Sequence, residues 1–465
     1  MARSTKVAVR RPSGSGPLVA TLSLVVLTVA FLQTVVVPVL GAIATQLHEP
    51  AASVSWVVTA NLLAATAATP LIGRLADLRS KKRVLLGVLA LVFGGSLLAA
   101  TTASLPLLLL GRMLQGGAFA LYPVAVSILR DELPPERLAR SITALSAMLG
   151  LGGVLGLVVT GGLMTDGAAY QRTFWLCTLF TAAVIGAVLR VVPNRPRYGR
   201  GGIDWLGGIG LAVGLAAVLL AITQGSRWGW TSPATFAAAG LGVIALNRWW
   251  SWSRRCANPL VSIPMLSRRP VLLANLATFL VGMGLYFWFL GTVGFVEAPV
   301  ASGYGFGSSV RAASMEFVLP GFVAGVFVAL VAARYIERFG PRAVFAAGAS
   351  AGALGFASLL PWHSAPWQVI AAGLLINAYI SLSYAALPIM VIAEVAEGET
   401  GIATSLNAIF RLVGSAVGAA LFGALESPGA DGRIPESTFG IVFALGAITA
   451  VLAILLAVRR RQASL

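Results

Sequence analysis

Three charged side chains stand inside long apolar stretches of this 465-residue chain: Arg112, Glu316 and Arg411. An ionised group in hydrocarbon costs at least about 2.5 kcal/mol unless it is paired, hydrated or turned toward a protein interior. Arg112 shares a helical face with Gln115 and Gly116, at i+3 and i+4. It lies roughly 10 Å inside its apolar stretch at 1.5 Å per residue, and Gln33 reaches a similar depth in the first stretch. Gln33 accepts hydrogen bonds from a guanidinium but does not neutralise it. The charge is then left for water, a backbone carbonyl or a substrate anion; the alternative is a brace between the first and fourth helices through backbone carbonyls. Glu316 is the one carboxylate clearly inside an apolar stretch. It reads either as a titrating group for proton coupling or as a boundary glutamate in open water. Arg411 reads as a brace near Glu394 or as the base of a cavity. With only His48, His363, Cys177 and Cys256 available, no metal-ligand spacing, disulfide framework or paired-acid cluster exists, which argues against an enzyme and a metal centre.

These side chains need elements that cross a membrane. Hydrophobic residues make up 58% of the chain and charged residues 11%, against about 25% charged in soluble domains. That excludes a soluble multidomain enzyme, a disordered chain and a nucleic-acid binder. A helix of about 20 apolar residues spans the hydrocarbon core, and the sequence predicts fourteen: 18–40, 53–73, 84–102, 105–129, 141–164, 173–189, 205–222, 234–250, 270–295, 312–331, 343–360, 367–392, 402–425 and 439–458. The first is too long for the apolar core of a signal peptide, about 7–15 residues. With the N-terminus inside, the outer loops hold only Arg172, Arg227, Arg311 and Arg433. All other Lys and Arg residues, apart from Arg112 and Arg411, fall on the cytoplasmic side, as the positive-inside rule requires. The net charge of +17 is thereby assigned to loops whose partners are anionic headgroups. No nucleic acid is called for, and protein partners are undefined. The expected location is the plasma (inner) membrane with both termini cytoplasmic.

The loop GRLADLRSKKRVLL (73–86) returns as ARYIERFGPRAVFA (333–346), pairing Arg74 with Arg334, Asp77 with Glu337 and Lys82 with Arg342. TALSAMLGLGG (143–153) returns as TSLNAIFRLVG (404–414). The predicted fold is all-α: a six-helix bundle at 18–192, two inserted helices at 193–262 and a second six-helix bundle at 263–458, with tails at 1–17 and 459–465. Two repeats with a site between them follow the logic of secondary transporters. No G-x-x-x-x-G-K-[ST] loop occurs, so no cofactor or ATP is implied and the energy comes from a gradient or transport is passive.

GRLADLRSKKR (73–83), RMLQGG (112–117), the Gly-rich GLGGVLGLVVTGG (150–162) and FLQTVVVPVL (31–40) resemble the signatures of the major facilitator superfamily, and within it the fourteen-helix drug:proton antiporter family. Leu78 and Ser80 stand at its usual basic and Gly positions, Leu157 at a usual Pro, and Gln33 at a usual acid. The resemblance implies a gate latch at Gly73, Arg74, Asp77, Arg79 and Lys82. Asp77 meets the start of the thirteenth helix near Thr404, and Arg79 with Asp131 completes an ion-pair relay. The alternative is a solvated basic loop that serves topology alone. By the repeat, helices 1, 4, 9 and 12 line the cavity with Phe31, Gln33, Tyr122, Asn275, Tyr286, Trp288, Asn377, Tyr379 and Tyr384. Such a mix of aromatics and amides suits a bulky amphipathic molecule, though lipid-facing aromatics are equally ordinary. The resemblance implies export of a drug- or antibiotic-like small molecule by proton antiport, with Arg112, Gln115, Glu316 and Arg411 as coupling candidates. A lipid or hydrophobic-metabolite exporter is the alternative within the fold. A non-transporting membrane sensor or structural protein is the alternative of another class.

Overall fold

The computed structural model describes residues 15–164, 167–195, 202, 204–257, 259, 261, 263–395, 400–426 and 434–458. Among them the chain is helical, without strands. We label the long helices α1 (Ser15–Thr34), α2 (Trp56–Leu78), α3 (Lys81–Thr101), α4 (Leu105–Gln115, then Leu121–Glu132), α5 (Pro135–Leu163), α6 (Gln171–Val191), α7 (Trp205–Trp228) and α8 (Pro233–Ser253). There follow α9 (Arg269–Glu297), α10 (Leu319–Phe339), α11 (Pro341–Ser358), α12 (Pro366–Ile392), α13 (Thr400–Leu425) and α14 (Glu436–Val458). Eleven stretches of the described residues are long and apolar enough to cross a membrane; α5, α8 and α11 are not among them. The apolar part of α5 is the shorter Met148–Leu163, α8 carries Asn247 and Arg248 beside three Trp residues, and α11 has only 18 residues. The chain is a polytopic membrane protein.

Start and stop signals are where the sequence puts them. Pro occupies the first turn of α4, α5, α8, α9, α11 and α12, where its missing N–H has no helical partner to lose. Asp204 caps α7 by accepting from the Gly207 N–H at 2.8 Å. Pro38 does the opposite job: it ends α1, which gives way to a 3-10 turn at Val37–Val39 before helix resumes over Leu40–Leu47.

Helix pairing follows one pattern twice. α1 packs on α5, α2 on α4 and α3 on α6; α9 packs on α13, α10 on α12 and α11 on α14. Among the described residues three apolar cores result: one from α1–α6, a larger one centred on α9–α14, and a small one where residues 261–274 meet Val391 and the start of α13. The halves meet where α2 packs on α13 and α5 on α10, while α7 lies against both α2 and α13. We call the face that holds the α2–α3 loop the basic face and the opposite one the far face.

Candidate functional site

Arg112 is 2% exposed. Its Nε donates to the Val57 carbonyl (2.9 Å) and its Nη1 to the Leu32 carbonyl (3.3 Å) and to Gln115 Oε1 (2.6 Å). Gln115 Nε2 in turn donates to Ser96 Oγ (2.8 Å), and Asn61 Nδ2 to the Arg112 carbonyl (2.8 Å). Arg112 and Gln115 together thus tie α1, α2, α3 and α4. The Leu32 carbonyl lies one turn before the unwound segment at Pro38, where helical N–H donors run out. Immediately after Gln115, α4 passes through a 3-10 segment at Gly116–Ala120. A Cβ on Gly116 would sit 2.6 Å from the Asn61 carbonyl, so this close approach of α2 and α4 needs glycine. Of the two readings of Arg112, its contacts match the brace. Gln33 does not accept from it; Gln33 Nε2 donates to Tyr286 Oη of α9 at 3.4 Å, across the halves.

Arg411, at mid-length in α13, is not braced by Glu394, and the reading at the cavity base stays open. Glu394 pairs with Arg342 at 3.3 Å, not with Arg411. The Arg411 guanidinium instead lies 5.0 Å from the Tyr384 ring centroid. Both residues are half-buried, and Tyr384 is within electrostatic reach of Tyr286. Gln33, Tyr286, Tyr384 and Arg411 therefore form a polar group at the junction of the halves.

The other expected cavity residues divide. Tyr122 is half-buried. Phe31 packs on Phe180 (5.2 Å between centroids). Asn275 accepts from Asn407 at 3.0 Å, inside the α9–α13 seam. Asn377 donates to the Gly373 carbonyl (2.9 Å) and packs on Gly321. Trp288 fills the space over Gly373, and Tyr379 that over Gly352; both are fully buried. Phe31, Asn275, Trp288, Asn377 and Tyr379 sit in helix–helix packing rather than on an open wall, because small residues on the neighbouring helices admit them.

On the basic face the charges are paired within the first half. Lys81 Nζ meets Asp131 (2.6 Å) and the Ser127 carbonyl (2.8 Å), and Lys82 Nζ meets the Leu189 carbonyl (2.9 Å). Arg74 Nε reaches the Gly202 carbonyl (3.3 Å), and Ser80 Oγ donates to Asn194 (2.7 Å). Arg195 binds Glu132 through both carboxylate oxygens (2.9 and 3.1 Å), which holds its pKa above the ordinary arginine value. The expected partner of Asp131 was Arg79. Arg79 is exposed and Lys81, one residue inside α3, takes that place because its stem runs buried along the helix. Gly73 lies on the last turns of α2 with open space around it. The Asp77 and Thr404 side chains lie outside the described residues.

Glu316 sits in a π-helical turn at Ala313–Val318, before α10, and is exposed. Two other acids, passed over in the sequence because they fall one or two residues beyond predicted span ends, are half-buried at the contact between the halves. Glu297 ends α9 and Glu426 follows α13; both line a far-face cavity of about 320 Å³ with Gly41, Ser55 and Tyr304. Glu297 Oε1 is buried and has no hydrogen-bond partner among the described residues. Burial pushes the Glu426 carboxyl up to about 8. The only sequence signal was an acid at each of two adjoining span ends.

A helical membrane fold with polar side chains where its two halves meet defines the class: a polytopic membrane protein. The sequence matches the Major Facilitator Superfamily over residues 22–313, and the chain belongs to that family. It is 30% identical over 408 residues to an uncharacterised MFS-type transporter of Mycobacterium tuberculosis, covering 86% of this chain and 58% of the relative. The chain thus spans under two thirds of that relative's length. It is 28% identical to the cephamycin export protein of Amycolatopsis lactamdurans (89% and 86% covered). It is 26% identical to the uridine/deoxyuridine transporter of Lactococcus lactis subsp. cremoris (75% and 73%). Among solved structures, a peptide transporter POT in complex with sulfate superimposes with a TM-score of 0.68 at 15% identity, covering 96% of this chain and 95% of that one; this likeness concerns the fold.

Proposed function

We propose that this protein is a secondary transporter that exports a hydrophobic or amphipathic, drug- or antibiotic-like small molecule across the plasma membrane. Alternating access and proton antiport supply the mechanism and the drive. The basic face is cytoplasmic and carries both termini. The fourteen helices are two six-helix pseudo-repeats, α1–α6 and α9–α14, with α7 and α8 inserted; the doubled pairing pattern supports this division.

The observation that carries the reading is the junction itself. Gln33 of the first half bonds Tyr286 of the second, beside the Tyr384–Arg411 stack, at the level where α1 unwinds. A site shared by two bundles is emptied and filled as they rock. The N-half network around Arg112 and Gln115 holds the first half rigid while it moves. Gln33, Tyr122, Tyr286 and Tyr384 contact the substrate, and the absence of an acid at Gln33 favours neutral or weakly anionic compounds over cations. Gly73, Arg74, Asp77, Arg79, Lys82 and Asp131 form the cytoplasmic latch, with Lys81 added to them. Export by the cephamycin relative is in keeping with the reading. The test is flux of a panel of lipophilic compounds in proteoliposomes under an imposed pH gradient; gradient-driven flux of at least one compound is expected.

A further inference from the structure

The far-face cavity presents a problem of charge. Glu297 and Glu426 line the same space, one at the end of α9 and the other just past α13. A carboxylate oxygen shut away from water needs a donor or a cation, since an unpaired buried charge is costly. Glu297 Oε1 has neither among the described residues. The cavity's remaining described lining offers no Lys, Arg or His. The segments Val37–Val39, Leu40–Leu47 and Ala51–Val54 contribute apolar residues, and Ser55 Oγ is committed to the Ala52 carbonyl at 2.8 Å. Tyr304, the remaining titratable group facing the cavity, donates to the Ile434 carbonyl at 2.7 Å. His363 bonds Glu436 at 2.7 Å and is separated from the cavity by the Phe295 ring.

The walls of this cavity are also the contact between halves. A Cβ on Gly41 would lie 3.0 Å from Glu297 Oε2, and one on Gly423 would run into Ser55. Glycine at position 41 lets the first half come close over Glu297. Closing the far face therefore encloses both acids.

We infer that Glu297 and Glu426 are a proton-loading site, and that the far-face gate shuts only after both have bound protons from the external medium. The inference rests on the export reading for its direction and supplies the external proton-binding step that antiport requires. In the open state the carboxylates face water. Hydronium of the external medium gives each carboxylate a proton: one O–H bond breaks in the hydronium as one forms on the carboxyl, water is left, and no electron moves. The neutral acids are then enclosed; loss of the protons to the same medium reverses the step. The sign follows from linkage: a carboxyl whose pKa rises on closure favours the closed state at low pH. For Glu426, between the ordinary carboxylate range and about 8, each unit of pH shifts the open–closed ratio by up to about tenfold. Above that range the closed state gains no further penalty.

The test is a distance measurement in reconstituted full-length protein. Spin labels go on Thr45→Cys and Val300→Cys, both exposed on the far face, with Cys256→Ser removing the accessible native thiol. At external pH of about 5.5 the separation is short; at about 8.5 a longer separation becomes populated. In the same background Glu297→Gln/Glu426→Gln keeps the short separation at both values. Identical distances at both pH values before that change, or a pH response that survives in the double Gln protein, overturns the proposal. The first arm stands even if the Gln protein fails to fold. Gradient-driven flux on the same preparations separates this from the export reading. Lost flux with pH-dependent closure overturns export alone; retained flux with pH-independent closure overturns the proton-loading site alone.

Discussion

Two arginines lie deep in this molecule, and their surroundings differ. Arg112 in α4 has three guanidinium hydrogen bonds to acceptors on α1, α2 and its own helix. Arg411 in α13 has a tyrosine ring 5.0 Å away and no ion pair among the described residues. A cation with three of its five N–H donors held by fixed acceptors is a structural joint, its charge spread over those dipoles. A cation whose main contact is an aromatic face keeps its N–H donors for what enters the junction. The two halves repeat one packing scheme, yet one cation is built into the frame and the other stands beside a tyrosine ring at the junction.

Substitutions break or sharpen this contrast. The largest effect is expected from Arg112→Met, which strands the Gln115 oxygen and two carbonyls; a cost of about 1–3 kcal/mol for each stranded group is expected as a large fall in the unfolding midpoint in detergent. Asp131→Ala comes next. It leaves the buried Lys81 ammonium with the Ser127 carbonyl alone, at a cost of about 1–3 kcal/mol, read in the same unfolding assay. Arg411→Met removes a cation–π contact worth about 0.5–1 kcal/mol, so its unfolding midpoint stays close to the parent protein, while its apparent substrate affinity falls. A stability loss at Arg411 equal to that at Arg112 would erase the contrast. Smallest of all is Arg195→Ala on the exposed edge of the basic face: no measurable change in midpoint is expected, because a solvated pair contributes little.

Much of this was readable from residue type and spacing. Long apolar runs, the alternation of loop charge and the isolation of Arg112 and Arg411 follow from the cost of charge in lipid, a strong constraint at every position. Gln115 was legible as the partner of Arg112 because i+3 spacing on a helix leaves little freedom. What escaped depends on rotation and on contacts between distant segments. Trp288 and Tyr379 pack against Gly373 and Gly352 because all-round apolar helices carry no signal for which face meets a neighbour. Lys81 displaced Arg79 at Asp131 because the break between α2 and α3 at Arg79–Ser80 sets the direction of each basic side chain. Glu297 and Glu426 were read past as span ends; α9 runs two residues beyond its predicted limit and delivers Glu297 into the contact between halves. Glu316 met the criterion of lying within an apolar run and yet is exposed, since the π-helical turn before α10 turns it outward.

The central claim is that a proton gradient drives a lipophilic compound through the junction of the two halves. The direct measurement uses inside-out proteoliposomes acidified within, with a panel of such compounds outside. The account expects accumulation of at least one compound that collapses when a protonophore dissipates the gradient and that is weakened by Arg411→Met. Equal flux with and without the gradient, for every compound, would contradict it.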